Sequence, residues 1–344
     1  MTPAQLSRTV LHTVRRAVED DELCVAVPER VKVRTPPRPG CGDYATNVAL
    51  LLARGARNAR GEGDALVIAE VLRRRLVRAP GIARVDVAAP GFLNITLEGT
   101  SHVQLVRAVL SQGLRYGHGD ALAGVSVPLG ASDEVRAALV AHVVRGLVDA
   151  TGGVVVPGEG PVVRAVPVSG RDLLTRLGPD AARWALLRPA GHDLPDLDPG
   201  HLLSQREDNA LFRVRYAHAR TRALMRNAGQ FGITPQPQPQ SDPDLEPATG
   251  AYRHPAEAAL LALLADHPRT LEAAARHRAP DRLARQLVAL ADGFFRFHDA
   301  CPPLPAGELK PSAVHRSRLA LADAAGAVLA GGLHLLGISA PEHL

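Results

Sequence analysis

The chain has 344 residues, room for two or three domains, and its 46% hydrophobic and 22% charged content is that of a globular protein rather than a disordered or fibrous one. A net charge of +5 suits a polyanionic partner, yet all but two of the 40 cationic side chains are arginines, a compositional bias, so only clustered arginines argue for nucleic acid. Cys24, Cys41 and Cys301 are odd in number and lack C-x-x-C spacing, which argues against a disulfide framework or a zinc site; no metal or cofactor is expected. No run of about 18 uncharged apolar residues suggests a membrane span and the start has no apolar signal-like stretch, so a cytoplasmic, membrane-free protein is expected.

Thr2-Pro3 followed by Leu6, Val10, Val14 and Val18 predicts a first helix. After a Pro-rich turn at Pro36 to Pro39, Ala45 to Ala53 reads as a second helix, and Asp64 caps a third with Ile68, Leu72 and Leu76 as its buried stripe. Two strands follow: one alternates through Ala83, Val85 and Val87, and the other turns Leu93, Ile95 and Leu97 to the core with Phe92, Asn94 and Thr96 outward. An α+β domain over residues 1–112 is expected.

Ala123 to Leu129, Ser132 to Ala150 and Val154 to Val156 read as a single βαβ unit within a reduced α/β centre, residues 122–200. A helix from Gly170 to Leu187 breaks at Gly178-Pro179, and His192 to Pro199 is a turn. A long helix is predicted from Gln205 to Ala228. The proline- and glutamine-rich segment 230–250 reads as a mobile loop, and helices at Pro255 to Ala265, Pro280 to Ala300 and Ala313 to Leu336 complete an all-α bundle over 201–344.

Phe92 and Asn94 form an aromatic beside an amide on one strand face, a pair able to stack on an unpaired base and read its edge. Spacing alone favours the plainer reading, Phe92 packed under a loop. On the long helix six arginines stand against Glu207 and Asp208; Arg213, Tyr216 and Arg220 share one face, with Leu211, Val214, Thr221, Leu224 and Met225 for the opposite side. Arginine forks flanking a tyrosine, with Arg222 nearby, suit phosphates and a stacked base, although a solvated basic face is the commoner outcome for such a run.

Gly42-Asp43-Tyr44-Ala45-Thr46-Asn47, Pro90-Gly91-Phe92-Leu93-Asn94 and Tyr216-Ala217-His218-Ala219-Arg220 resemble segments of arginyl-tRNA synthetases. So do Phe294, Phe295, Phe297 and His298, and the ending from Leu333 to Leu344. The resemblance implies an N-terminal domain that meets the tRNA D-loop through Phe92 and Asn94. It also implies a helical anticodon-binding bundle of the DALR type that uses Arg213, Tyr216, Arg220 and Arg222. Arg213 stands where the family usually has an aromatic, and Leu344 where it usually has methionine.

The chemistry of that family needs an H-x-G-H helix start and a Lys-Met-Ser-Lys loop. No two histidines here have that spacing, the only lysines are Lys32 and Lys310, and the corresponding helix start reads Gly130-Ala131-Ser132-Asp133-Glu134, with carboxylates where a phosphate would sit. Arg171 to Pro199 resemble the segment joining the family's catalytic domain to its bundle, so an internal loss is expected. No catalytic residue is assigned. The reading is a tRNA-binding protein that does not aminoacylate, with arginine tRNA as partner and a tRNA-modifying enzyme or a genuine synthetase as possible recipient. The alternatives are a diverged ligase with residual ATP-dependent activity and a protein-interaction module that has lost RNA.

Overall fold

A computed structural model describes residues 1–34, 36, 41–55, 64–237, 252, 254–305, 307 and 310–344. They form two compact units, Met1–Leu105 and the described residues from Val106 to Leu344. Most of the expected Pro36 to Pro39 turn, and the 230–250 loop beyond residue 237, lie outside the described residues.

In the first unit, helix α1 (Pro3–Glu19) starts in a capping box: Thr2 Oγ1 accepts from the Gln5 amide at 3.2 Å, and Gln5 Oε1 accepts from the Thr2 amide at 2.8 Å. Leu6, Val10 and Val14 are buried as the four-residue spacing requires. A four-stranded antiparallel sheet runs in the order β1 (Val33–Arg34), β2 (Tyr44–Thr46), β4 (Phe92–Leu97), β3 (Ile82–Ala88). The predicted helix at Ala45 is corrected: Ala45 and Thr46 are in β2, and α2 covers Val48–Gly55. The cause is nonlocal. The Asp43 amide donates to Ile95 O at 2.9 Å, and Asp43 Oδ2 accepts from the Leu97 amide at 2.7 Å, so Asp43 clips β2 to β4. Gly42 beside it has φ 86°, and a Cβ there would stand 2.9 Å from Ile95 O, so only glycine fits. Helix α3 (Ala65–Leu76) has the expected Asp64 cap and buries Ile68, Leu72 and Leu76. In β3 the expected alternation fails because a register shift between Ile82 and Arg84 turns Ala83 out to solvent.

Helix α4 spans Gly99–Gln112. In the second unit, β5 (Ser126–Pro128) and β6 (Val154–Val156) pair in parallel across helix α5 (Val135–Ala150), the single βαβ unit expected. The helix starts at Val135 rather than Ser132 because Glu134, not Ser132, is its N-cap. Arg136, only 1% exposed, then gathers six backbone carbonyls from the segment that follows the unit. Its Nε donates to Leu186 O; Nη1 donates to the carbonyls of Arg164, Gly191 and Asp193; Nη2 donates to those of Pro189 and Ala190, all at 2.7–3.4 Å. Burial draws its pKa below the ordinary arginine value, with Glu134, Asp193 and Asp281 pulling the other way. Helix α6 (Gly170–Leu187) is broken at Gly178, φ 70°, as its Gly-Pro pair predicts.

After the short α7 (Pro199–Leu202), the bundle comprises α8 (Ala210–Gln230), α9 (Pro255–Arg276), α10 (Asp281–Ala300) and α11 (Ala313–Leu335). The α8 start at Gln205 is corrected: Asn209 caps it by accepting from the Leu211 and Phe212 amides, which leaves Arg206 ahead of the helix. Helix α9 runs eleven residues past the expected Ala265, through Pro268, because Leu271, Ala274 and Ala275 continue its buried face. The first residues of the expected mobile loop are held: Ile233 is buried, the Gln236 amide donates to Arg316 O at 3.1 Å, and Arg107 donates to Pro237 O. Helix α11 is long and apolar enough to cross a membrane, but 72% of its apolar window is buried, as in a core helix. It crosses α8 closely: a Cβ on Gly326 would stand 2.3 Å from Thr221 Oγ1.

Two stability predictions follow from these buried groups. Arg136→Met removes a donor from six carbonyls, of which those of Ala190 and Gly191 keep a backbone N–H, and should lower the unfolding free energy of the second unit by about 3 kcal/mol, measured by urea denaturation. His267 is fully buried against Tyr116 and the Gln286 amide, and burial drives its pKa down to about 4. The unfolded chain therefore binds this proton first, so stability is complete above about pH 6.5 and falls as pH drops toward 4, by about 3 kcal/mol in total. The urea midpoint should decline between pH 7 and pH 5, and His267→Gln should flatten that decline; a midpoint that does not move with pH would contradict this.

Candidate nucleic-acid interface

In the first unit, β4 puts its two expected contacts on the sheet face away from α1 and α3. Leu93, Ile95 and Leu97 are buried, whereas Phe92 is 40% exposed and Asn94 half-buried, so Phe92 does not pack under a loop. The register places Asn94 between Ala45 on β2 and Asp86 on β3, and Phe92 beside Ala88. Cross-strand partners share a face, so Ala45 and Asp86 flank Asn94 and Ala88 flanks Phe92. Arg84, opposite Thr96, forms an exposed 2.8 Å ion pair with Asp86.

On α8, Leu211, Val214, Ala217, His218, Thr221 and Leu224 are buried, and Tyr216 (42% exposed), Arg220, Arg226 and Asn227 are exposed. Tyr216 does not wait alone for a base. It stacks on Phe212 at 5.6 Å and on Phe295 of α10 at 5.8 Å, while Phe294 and Phe297 are core residues. The aromatic run expected near the site therefore divides: Phe295 extends the stack and its neighbours support it.

Most of the basic residues on this helix are compensated from elsewhere in the fold. Arg213 is ion-paired with Asp292 of α10 and Arg222 with Asp323 of α11. Arg215 meets Asp180 at 3.6 Å and donates to Ser339 Oγ, and Arg226 meets Glu342 at 4.0 Å. His218 Nδ1 contacts Pro341 O at 2.9 Å, and its pKa is lowered chiefly by burial, so it adds no charge at neutral pH. Arg220 alone among the four expected α8 residues is an exposed cation, without an ion pair among the described residues. These acids were missed in the sequence because they lie 35 or more positions from the arginines they neutralise, beyond any helical spacing rule.

Ligands of open parallel sheets sit in the crevice beyond the strands' carboxyl ends. Here two loops of the chain meet in that region. The Gly130 amide donates to Glu159 O at 3.0 Å, and a Cβ on Gly130 would lie 2.3 Å from Gly158 O. Glu134 Oε2 accepts from the Ala137 amide at 2.7 Å and Oε1 from the Val166 amide at 3.1 Å, so a carboxylate already occupies the positive end of α5.

Releasing paired arginines tests the electrostatic account. Asp292→Asn and Asp323→Asn should each cost at most about 1 kcal/mol of stability, since both pairs are partly exposed. If RNA binds this helix, each should raise affinity and steepen its logarithmic salt dependence by about one, read by fluorescence anisotropy across a salt series.

Two family profiles match the chain: the arginyl tRNA synthetase N terminal domain over residues 5–97 and the DALR anticodon binding domain over residues 214–344. The arginine–tRNA ligase of Frankia alni is 27% identical over an alignment of 564 residues that covers 100% of both chains. That alignment exceeds the 344 residues of this chain by 220, so at least that many of its positions have no counterpart here. The arginine–tRNA ligase of Clavibacter sepedonicus is 40% identical over 173 residues, 50% of this chain and 30% of the relative. Among solved structures, Thermus thermophilus arginyl-tRNA synthetase superposes with a TM-score of 0.71 at 15% identity over 100% of both chains. The Plasmodium falciparum enzyme gives 0.66 at 9% identity over 99% of each. At such identities these two likenesses bear on fold alone.

Proposed function

The chain belongs to the arginyl-tRNA synthetase family, and from that membership we propose that it binds tRNA, arginine tRNA foremost, without aminoacylating it. The observation that carries this reading is the start of α5, where Glu134 takes up the Ala137 amide and ties it to Val166, and where the loops after β5 and β6 bond to each other. A nucleotide phosphate would have to displace a carboxylate and open a backbone contact. Lysines only at 32 and 310, the missing H-x-G-H spacing and the 220 unmatched alignment positions support the same conclusion.

In this reading residues 1–112 meet the tRNA elbow through Phe92 and Asn94, 122–200 are the remnant of a catalytic domain, and 201–344 meet the anticodon arm. There Tyr216 and Arg220 make the first contacts. Arg213 and Arg222 contribute through their paired guanidinium groups, which shape the flanks of the helix more than they attract phosphate. The protein would act in the cytoplasm, presenting tRNA to a modifying enzyme or to a genuine synthetase.

The names of the relatives favour one second reading, a diverged arginine–tRNA ligase. ATP–pyrophosphate exchange with arginine and tRNA separates the two. The proposal expects no exchange above background, together with salt-sensitive binding that prefers arginine tRNA to other tRNAs and to duplex RNA of equal length. Robust exchange would establish the ligase, and equal affinity for unrelated duplexes would remove the tRNA reading.

A further inference from the structure

The open face of the N-terminal sheet carries a cation that the sequence pattern did not single out. Successive registers align Arg34 on β1 with Ala45 on β2, Ala45 with Asn94 on β4, and Asn94 with Asp86 on β3, one row across all four strands. The burial pattern puts this row on the face away from the core: Val33, Tyr44, Thr46, Leu93 and Ile95 are buried, Arg34 is exposed, and Ala45 and Asn94 are half-buried. At about 4.8 Å between neighbouring strands, Arg34 and Asn94 stand about 10 Å apart, with only a methyl group between them. Phe92 lies two residues from Asn94 on the same strand face, about 7 Å away.

The charges on this face differ in their availability. Arg84 is paired with Asp86, whereas Arg34 has no ion pair among the described residues. The row therefore presents, in order, a free guanidinium, a gap, an amide and a neutralised pair, with an exposed ring beside the amide. A ring and an amide suit unpaired bases, and a guanidinium two strands away suits the phosphodiester of the same strand as it crosses the gap. A duplex would not present its bases to Phe92 and Asn94.

We propose that Arg34 is a phosphate-binding residue of this face and that Ala45 is the gap over which an unpaired RNA loop passes from Phe92 and Asn94 toward β1. This rests on the reading of Phe92 and Asn94 as RNA contacts and adds to it a direction for the strand and a residue for its backbone.

The test uses the full chain and a fluorescently labelled arginine tRNA transcript, titrated across a salt series. Arg34→Ala should weaken binding about five- to tenfold and reduce the logarithmic salt slope by about one, while Asn94→Ala weakens binding with the slope unchanged. Ala45→Leu fills the gap on a half-buried position and should weaken binding with an unchanged thermal melt and circular dichroism spectrum. If Phe92→Ala and Ala45→Leu weaken binding but Arg34→Ala alters neither affinity nor slope, the Arg34 assignment is overturned and the face reading stands. If Phe92→Ala, Asn94→Ala and Ala45→Leu are all without effect, the face reading itself has failed, and the inference with it.

Discussion

The guanidinium of Arg136 gives one segment of the second unit the donors that a neighbouring strand gives in a sheet. A buried peptide carbonyl needs a donor, and in a full parallel sheet the adjacent strand supplies it. Here the sheet of the second unit has two strands, and the irregular segment around 186–193 packs where no ladder can reach it. One side chain with five N–H donors meets five of its carbonyls and that of Arg164, and holds that segment to α5. Lysine has fewer donors and a single charge point, and could not span the same set. The sheet's outer edge on β5 is closed in a related way: Pro128 lacks an N–H, and Arg278 donates to its carbonyl at 3.2 Å, so the short sheet offers little to a further strand.

Arginine also explains why composition overstates the basicity of the surface. On α8, Arg213, Arg215, Arg222 and Arg226 are each tied to an acid on α10, α6, α11 or the C-terminal segment. These pairs orient neighbouring elements around the helix and leave a narrower electropositive strip at Arg220. A count along the predicted helix Gln205 to Ala228, six cations to two anions, describes the unfolded chain better than the folded one.

Where neighbours in sequence decide the structure, the sequence was readable. The Thr2 and Asp64 caps, the Gly178-Pro179 break, the βαβ unit and the outward placement of Phe92 and Asn94 all follow from spacing or turn chemistry within a few residues. Nonlocal contacts account for the misses. Ala45 and Thr46 carry helix-compatible apolar spacing, but Asp43 reaches residues more than 50 positions away and commits them to a strand. The 42–47 motif that resembles an RNA-gripping segment thus has a structural task of its own, setting the register that brings Asn94 opposite Ala45. The stacking of Tyr216 on Phe295 and the pairing of Arg213 with Asp292 depend on how α8 and α10 meet, which no period on either helix encodes.

Binding and chemistry place opposite demands on a helix start. A catalytic centre for nucleotides needs free amides and a positive dipole end open to phosphate, and such groups are costly to leave unsatisfied in a folded protein without its substrate. At α5 the chain meets that cost internally, because Glu134 spans the Ala137 and Val166 amides and so joins the helix to the following segment. The carboxylate stabilises this part of the fold for the same reason that it opposes a phosphate: both require the same donors. A phosphate at this helix start would therefore have to unmake a contact that holds α5 to Val166, whereas the face bearing Phe92 rests on a core that does not include that contact.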